Sequence, residues 1–211
     1  MNRGQFITVE GIEGVGKTTA MQFLHNCLLQ YGVNVTVTRE PGGTEIAEKI
    51  RELLLAHHDE IMTRDTELLL MFASRAQHIA SVIEPALRAG HWVLCDRFTD
   101  ASFAYQGGGR GIPMARIESL ASWTHGNLHP DYVFLLDAPV EIALGRANRR
   151  GELDRIELEQ VAFFERVRAS YLERAGRNTE CYHIIDASLD TPHVEMQLKK
   201  VIHNIIEAHN D

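Results

Sequence analysis

Cysteine is scarce in this chain of 211 residues, and its distribution excludes two classes of small fold. The three cysteines, Cys27, Cys95 and Cys181, are odd in number and far apart, which matches neither a disulfide framework nor the paired spacing of a zinc site. The eleven histidines form no H-E-x-x-H motif and no cluster with cysteine. We therefore expect a reduced, cytoplasmic protein that folds around an apolar core without cross-links.

The sequence also lacks a long apolar run and an excess of positive charge. No stretch approaches the ~18 apolar residues of a membrane span, and the N-terminal segment has no signal-peptide core. Lysine and arginine total 21 against 29 acidic residues, which leaves a formal net charge of −8. We expect neither a membrane nor a nucleic-acid polymer as a partner, since the polymer requires many cationic contacts. Small phosphate ligands stay possible, because a few local arginines outweigh the global charge.

Short apolar runs alternate with helical patterns along most of the chain. The runs predict strands at 6–10, 33–38, 92–96, 132–137 and 182–186. The helical patterns cover 17–30, 45–56, 64–89, 114–123, 140–149, 157–174 and a final helix capped by Thr191. This alternation predicts a three-layer α/β fold, with a five-stranded parallel sheet and helices on both faces. Segments 107–111 and 146–155, rich in glycine and arginine, predict mobile loops on a single domain spanning 1–211.

The strongest functional signal is the run from Gly11 to Thr18, which matches the P-loop pattern G-x-x-x-x-G-K-[ST]. Its glycines let the backbone wrap around phosphates with the N–H groups pointing inward, and the following helix adds its positive end. Lys17 is expected to reach the β- and γ-phosphates, and Thr18 to ligate Mg²⁺. The predicted ATP-binding residues are Gly11, Ile12, Glu13, Gly14, Val15, Gly16, Lys17, Thr18 and Thr19.

A P-loop by itself predicts only a protein that binds nucleoside triphosphates. The chain has no N-K-x-D motif for reading guanine, which disfavours a GTPase. Its short length and acidic balance disfavour helicases and motors. A non-catalytic switch, in which nucleotide binding drives partner binding, stays open as an alternative from another functional class.

A second informative segment ends the third predicted strand. Asp96 is placed where its carboxylate faces the phosphates and Mg²⁺ through water, and Arg97 adds a planar cation at the carboxyl edge of the sheet. A guanidinium at this edge suits a phosphate group on an acceptor. The alternative is an ion pair between the two residues at the strand end.

Five further motifs in a fixed order narrow the interpretation. They are T-R-E-P-G-G-T at 38–44, F-A-S-R-A-Q-H at 72–78, D-R-F at 96–98, A-Y-Q-G-G-G-R-G at 104–111 and R-R-G-E-L-D-R at 149–155. With the P-loop, they resemble the bacterial thymidylate kinase family over about residues 5–190. The resemblance implies phosphoryl transfer from ATP to dTMP, giving ADP and dTDP, with Mg²⁺ as cofactor and a homodimer as assembly. A related kinase with a different base preference stays open as the alternative enzyme.

The resemblance also implies an acceptor site, residue by residue. An acidic residue of the P-loop, here Glu13, approaches the sugar 3′-hydroxyl of dTMP. Phe72 is implied as the aromatic platform under thymine, and Arg75 as the group that reads its O4 atom. Arg97 is implied to bind the monophosphate, with Glu40 near both the acceptor and Mg²⁺. The implied dTMP site is completed by Pro41, Ser102, Tyr105 and Gln106.

Ordinary structural roles stay open for several of these residues. Phe72 lies in an apolar stripe that is typical of helix packing in a core, and Arg75 can be salt-bridged. Glu40 can cap the turn before Pro41, and Tyr105 can pack under a loop.

The basic segment at 145–156 is predicted to form a small mobile lid. Some members of the family carry an arginine at the position of Gly14 and lack basic lid residues, whereas here Gly14 accompanies Arg146, Arg149, Arg150 and Arg155. The resemblance implies that lid arginines stabilise the migrating phosphoryl group while the lid excludes water. A solvated basic loop is the alternative. The predicted catalytic residues are Lys17, Arg97, Arg149, Arg155 and Glu13.

Overall fold

Each strand of the central sheet is an apolar or β-branched run that tolerates burial on both faces. In the computed structural model, which describes residues 3–149 and 154–210, the strands are β1 (Phe6–Glu10), β2 (Val35–Arg39), β3 (Trp92–Asp96), β4 (Tyr132–Asp137) and β5 (Tyr182–Asp186). Neighbouring strands are parallel, in the order β2-β3-β1-β4-β5. The predicted five-stranded parallel sheet is confirmed, and β2 alone among these strands departs from its predicted bounds.

Helices connect the strands and cover both faces of the sheet. They are α1 (Lys17–Gln30), α2 (Glu45–Leu55), α3 (Arg64–His78), α4 (Glu84–Arg88), α5 (Thr99–Ser102), α6 (Met114–His125), α7 (Val140–Ala147), α8 (Val161–Arg177) and α9 (Thr191–Asn210). Leu94 packs with α1 and α9 in one core cluster. Val93 and Cys95 pack with Ile83 and Leu87 in another. Because side chains alternate along β3, one strand contributes to both layers of core.

The predicted helix at 64–89 is one helical rod with an irregular middle. A π-helical turn at Ile79–Ile83 joins α3 to α4. The final helix is capped by Asp190 rather than by Thr191, because Oδ1 of Asp190 accepts a hydrogen bond from the backbone N–H of His193 at 3.1 Å. The prediction of a Thr191 cap was therefore wrong by one residue.

The glycine-rich segment 107–111 does not form the mobile loop that its composition predicted. A π-helix at Phe103–Gly109 continues α5 and packs closely against α8. A Cβ atom on Gly109 would lie 2.4 Å from the ring of Phe163, and one on Gly108 would lie 2.8 Å from Cβ of Ser170. Glycine is therefore needed here for close helix packing rather than for flexibility.

The predicted lid falls partly outside the described residues. Residues 150–153, which include Arg150, are not described, whereas Arg146, Arg149 and Arg155 are. The mobile lid and the single-domain organisation of 1–211 stay predictions. In the two described ranges, no helix is both long enough and apolar enough to cross a membrane.

Candidate active site at the carboxyl edge of the sheet

The loops that follow β1, β2 and β3 surround a cavity of about 360 Å³. Ligands of open parallel sheets lie at this edge, because the strand ends and helix starts leave a crevice there. Of the predicted site residues, those that line the cavity are Glu13, Gly14, Gly16, Lys17, Thr18, Thr19, Glu40, Pro41, Arg75, Asp96, Arg97, Ser102, Tyr105 and Gln106. The remaining P-loop residues, Gly11, Ile12 and Val15, are buried and do not line this cavity.

The P-loop adopts the conformation that its glycines allow. Gly14 has φ 76° and Gly16 has φ 93°, which place both in the left-handed region. A Cβ on Gly14 would lie 1.9 Å from the carbonyl oxygen of Ala143, so larger residues are excluded by α7. Lys17 begins α1, and its Nζ donates to the carbonyl oxygens of Gly11 at 3.2 Å and Ile12 at 2.8 Å. Burial, followed by the nearby Arg97 cation, lowers the pKa of Lys17 to about 8.

Arg97 occupies the centre of a polar network at the cavity wall. Its φ of 69° is unusual for a residue with a side chain, and strain of this kind recurs at functional sites. Nη2 donates to Oε1 of Glu13 at 2.8 Å and to the hydroxyl of Tyr105 at 3.0 Å. Tyr105 in turn donates to Oε2 of Glu13 at 2.5 Å. Asp96 does not pair with Arg97, so the alternative of an ion pair at the strand end does not match the structure.

Two residues behind Arg97 were not predicted from the sequence. The hydroxyl of Tyr171 on α8 accepts from Nη1 of Arg97 at 3.1 Å and donates to Oε2 of Glu10 at 2.8 Å. The other Glu10 oxygen accepts the backbone N–H of Phe98 at 2.7 Å. Burial, followed by the Asp100 carboxylate, raises the pKa of Glu10 to about 8. The available sequence signal was a carboxylate that ends an otherwise apolar strand.

Arg75 is held by a fully buried polar cluster. Its Nε donates to Oε2 of Glu40 at 2.7 Å, while Nη1 donates to Ser102 at 3.1 Å and Nη2 to the carbonyl oxygen of Phe98 at 3.1 Å. Oε1 of Glu40 lies 3.0 Å from Nδ1 of His78. Both oxygens of Glu40 are thus engaged, and its side chain is only 3% exposed. That Glu40 lies near Mg²⁺ stays a prediction: Glu40 lines the cavity, and each of its oxygens keeps a second acceptor site beside the contact described.

The structure does not bring Phe72 to the cavity. Phe72 is 3% exposed and packs with Leu68, Phe103 and Ile117 in a separate core cluster. The guanidinium of Arg75 lies over its ring, 4.7 Å from the centroid. Half-buried Met71, the preceding residue on α3, lines the cavity instead. The prediction of an aromatic platform at Phe72 is corrected accordingly, and the core-packing alternative describes its position.

The π-helix that follows α5 carries Tyr105 and Gln106 to the cavity. Ser102 and Gln106 are each 1% exposed, and Tyr105 is 5% exposed. Nε2 of Gln106 donates to Oε1 of Glu67 on α3 at 2.9 Å. This contact joins α3 to the π-helix at Phe103–Gly109. Both elements border the end of the cavity that lies away from the P-loop.

One buried oxygen at the site has no partner in the described ranges. It is Oδ1 of Asp96, at the end of β3 and on the cavity wall. Thr18, the second residue of α1, lines the same wall. Among the residues that the structure describes, no group of three or more histidine, cysteine, aspartate or glutamate side chains is arranged to hold a metal ion.

The two predicted lid arginines do not reach the cavity wall in this structure. Arg149 is exposed, and its Nε donates to the carbonyl oxygen of Gly145 at 2.9 Å. Arg155 donates to Oε2 of Glu67 at 2.7 Å and to the carbonyl oxygen of Leu54 at 3.0 Å. Of the three arginines that the structure describes in this segment, Arg146 is the one that lines the cavity.

A smaller cavity of about 290 Å³ lies on the other side of the P-loop. Its walls include Gly14, Gly16 and Thr19, and also the segment that follows β5. Arg146 spans this opening and donates to the carbonyl oxygens of Ala187 at 2.6 Å and Ser188 at 3.1 Å. The P-loop therefore lies between two pockets, and both are bordered by Gly14, Gly16 and Thr19, the residue that follows the loop.

Comparisons with known proteins agree with this architecture. A family model described as "Thymidylate kinase" matches residues 9–198. The chain is 54% identical to a thymidylate kinase of Pseudomonas entomophila over 97% of each chain. It is 53% identical to a thymidylate kinase of Pseudomonas putida, over 96% of this chain and 98% of that one. The crystal structure of thymidylate kinase from Ehrlichia chaffeensis superposes with a TM-score of 0.76 at 33% identity, covering 95% of this chain and 99% of that one.

The parallel sheet and the P-loop with a pocket on either side of it define a P-loop nucleotide-binding protein, and the relatives named above place it among the P-loop kinases. Within that class, the chain belongs to the thymidylate kinase family.

Proposed function

We propose that the two pockets divide the substrates between them, with dTMP in the larger and the nucleoside of ATP in the smaller. As a member of its family, the chain is a dTMP kinase that converts ATP and dTMP into ADP and dTDP. The observation that supports the division is that Gly14, Gly16 and Thr19 border both pockets, so phosphates held by the P-loop extend into each. The comparisons do not favour the non-catalytic switch.

Arg97 is proposed to bind the monophosphate of dTMP. Its guanidinium is oriented by Glu13, Tyr105 and Tyr171, and such a preorganised fork suits bidentate contact with phosphate. Lys17 is proposed to contact the β- and γ-phosphates of ATP. The attacking oxygen of dTMP is already anionic near neutral pH, so the reaction requires positioning and charge stabilisation rather than a general base. Glu13 and Tyr105 are proposed to face the sugar.

The far end of the cavity is proposed to hold the thymine base. Arg75 presents the hydrogens of Nη1 and Nη2 that its described protein contacts leave unused, and these suit the O4 oxygen of thymine. Met71 and Leu55 supply apolar surface on the same wall, and we propose Met71 in place of Phe72 as the side chain that packs against the base. Methionine adapts well to such contacts, because its thioether is flexible and polarisable.

Replacing Met71 with alanine is expected to raise the KM for dTMP about tenfold, since ~1.4 kcal/mol is a typical value for lost apolar contact. The KM for ATP should stay within about twofold. The matched variant Phe72→Leu should instead lower the free energy of unfolding by about 1 kcal/mol and leave both KM values unchanged. Steady-state kinetics and thermal denaturation of the two variants measure this. A larger KM change in Phe72→Leu than in Met71→Ala would contradict the assignment.

Mg²⁺ is proposed to lie between Asp96 and Thr18. The unpartnered buried Oδ1 of Asp96 and the hydroxyl of Thr18 are hard oxygen donors that fit this ion, directly or through water. The ion would supply charge neutralisation at the β- and γ-phosphates.

The roles of Arg149 and Arg155 in catalysis stay predictions that rest on the family resemblance. Arg146 already lines both pockets, which makes it a further candidate for contact with ATP. The homodimer and the cytoplasmic location also rest on the sequence alone. Light scattering on the purified chain measures the assembly.

A panel of acceptors tests the proposed function most directly. With ATP and Mg²⁺, coupled detection of ADP release should give the highest kcat/KM for dTMP among dTMP, dUMP, dCMP and thymidine. The physical reason is that Arg97 requires a phosphate on the acceptor and Arg75 requires an oxygen at position 4 of the base. Faster turnover with thymidine than with dTMP would contradict the proposal.

A further inference from the structure

Glu67 is a buried carboxylate that does not line the larger cavity and lies outside every motif named above. It is 2% exposed in the first turn of α3. Its oxygens accept hydrogen bonds from Gln106 at 2.9 Å, from Arg110 at 3.2 Å and from Arg155 at 2.7 Å. Although burial opposes the charge, the hydrogen bonds from Gln106 and Arg110 lower the pKa of Glu67. Glu67 is therefore an ionised carboxylate, which accepts hydrogen bonds and donates none.

This acceptor determines which way the amide of Gln106 points. An amide side chain has one donor end and one acceptor end, and only the NH₂ end can face a carboxylate. With Nε2 committed to Glu67, the Oε1 atom is the end of Gln106 left for the cavity, where it has no partner among the described residues. Reversing the amide would place its oxygen against a buried carboxylate, at a cost of several kcal/mol for facing acceptors.

The wall around the base then carries a defined pattern of hydrogen-bonding groups. Arg75 offers donors, and Gln106 offers an acceptor. A pyrimidine with an oxygen at position 4 presents the complementary pair, an acceptor at O4 and a donor at N3–H. Cytosine presents the opposite pair, a donor at its 4-amino group and an acceptor at N3.

We propose that Glu67 is a specificity-determining positioning residue that selects thymine and uracil over cytosine by fixing the orientation of the Gln106 amide. Glu67 does not touch the base itself. The inference rests on the proposed placement of the base between Arg75 and Gln106. It further implies that Glu67 does not distinguish dTMP from dUMP, since both bases have the same O4 and N3–H groups.

The variant Glu67→Gln tests this, because a neutral amide of the same shape accepts or donates and so permits either orientation of Gln106. The ratio of kcat/KM for dTMP to kcat/KM for dCMP should fall by about tenfold to a hundredfold, the range expected for one misread base contact. The preference for dTMP over dCMP in dissociation constants measured by calorimetry should fall by the same factor. The ratio for dTMP against dUMP should stay within about twofold.

The matched control is Arg110→Gln, which removes another partner of the same carboxylate and leaves the contact between Gln106 and Glu67 in place. It should lower the melting temperature by a similar amount while the dTMP to dCMP ratio stays within about threefold. An equal loss of discrimination in both variants would overturn the proposal in favour of general loosening.

The variant Gln106→Leu separates the inference from the proposed base site. If Gln106→Leu lowers discrimination and Glu67→Gln does not, the role of Glu67 is wrong while the base site stands. If Gln106→Leu leaves discrimination unchanged, the base does not contact Gln106 and the proposed site is wrong. In the Gln106→Leu background, adding Glu67→Gln should change the ratio by less than about twofold, because no amide is left to orient.

Discussion

The variant Lys17→Ala is expected to lower kcat by about a hundredfold to a thousandfold, the range for removing one preorganised group that stabilises charge in a transition state. Lys17 begins α1, and its ammonium lies against the P-loop carbonyl oxygens of Gly11 and Ile12. Phosphoryl transfer spreads negative charge over the migrating group, so a cation fixed at this point is most effective in the transition state. Burial lowers the pKa of Lys17 to about 8, and in the same partly dehydrated setting the field of its charge is less screened.

Lys49→Ala provides the matched control for the loss of a lysine. Lys49 lies on α2 with its side chain 69% exposed, and it pairs with Glu45 one turn away. Its replacement should leave kcat and both KM values within about twofold, since exposed pairs contribute little. Coupled measurement of ADP release, with and without dTMP, compares the variants. A Lys17→Ala enzyme that keeps more than about a tenth of the original kcat would contradict the role assigned to this residue.

The second large effect is expected for the variant Arg75→Ala. Its KM for dTMP should rise about tenfold to a hundredfold, while its KM for ATP should change less than twofold. Charge-assisted hydrogen bonds of the kind proposed for O4 contribute about 1.5–3 kcal/mol. The planar fork of Arg75 is fixed by Glu40, Ser102 and the carbonyl oxygen of Phe98. Arg75→Lys should restore little, because an ammonium cannot reproduce this geometry.

Removing Arg75 also leaves Glu40 without its main counter-charge, so a loss of stability must be distinguished from a loss of binding. Thermal denaturation and binding of an ATP analogue therefore accompany the kinetics. Gln77→Ala, two residues along α3, removes a side chain whose described partner is Ser81 and should leave both KM values unchanged. Equal losses of affinity for dTMP and ATP in Arg75→Ala would show that Arg75 supports the fold rather than the acceptor.

Much of the fold follows from local patterns in the chain. Four of the five strands have their predicted bounds. In β1, β3 and β4 the apolar run is distinctive because almost every residue is buried, whereas β5 is a half-exposed edge strand that was recognised by its apolar and aromatic residues alone. The segment 107–111 was predicted wrongly because glycine has two uses that composition does not distinguish. It allows mobile turns, and it also allows the helix-to-helix contact found at Gly109.

The candidate site was predictable where its chemistry is local and unpredictable where it depends on packing. Met71 and Phe72 stand four and three residues before Arg75, and both spacings lie on one side of a helix. The sequence favoured the aromatic residue by its type, whereas the packing of α3 against α6 buries Phe72 and turns Met71 to the cavity. The pattern of residues along α3 does not determine how the helix is rotated about its axis, and therefore does not determine which of the two side chains faces the cavity.

By itself the sequence determined the P-loop, the alternation of strands and helices, and the family, because glycine positions, apolar periodicity and ordered motifs are properties of neighbouring residues. Only the tertiary structure decided the partners of the buried charges. Glu10 meets Tyr171 across 161 positions, Glu67 meets Arg155 across 88, and Glu40 meets Arg75 across 35. Each buried carboxylate requires a hydrogen-bonding partner, but which one it finds depends on how the helices pack against the sheet.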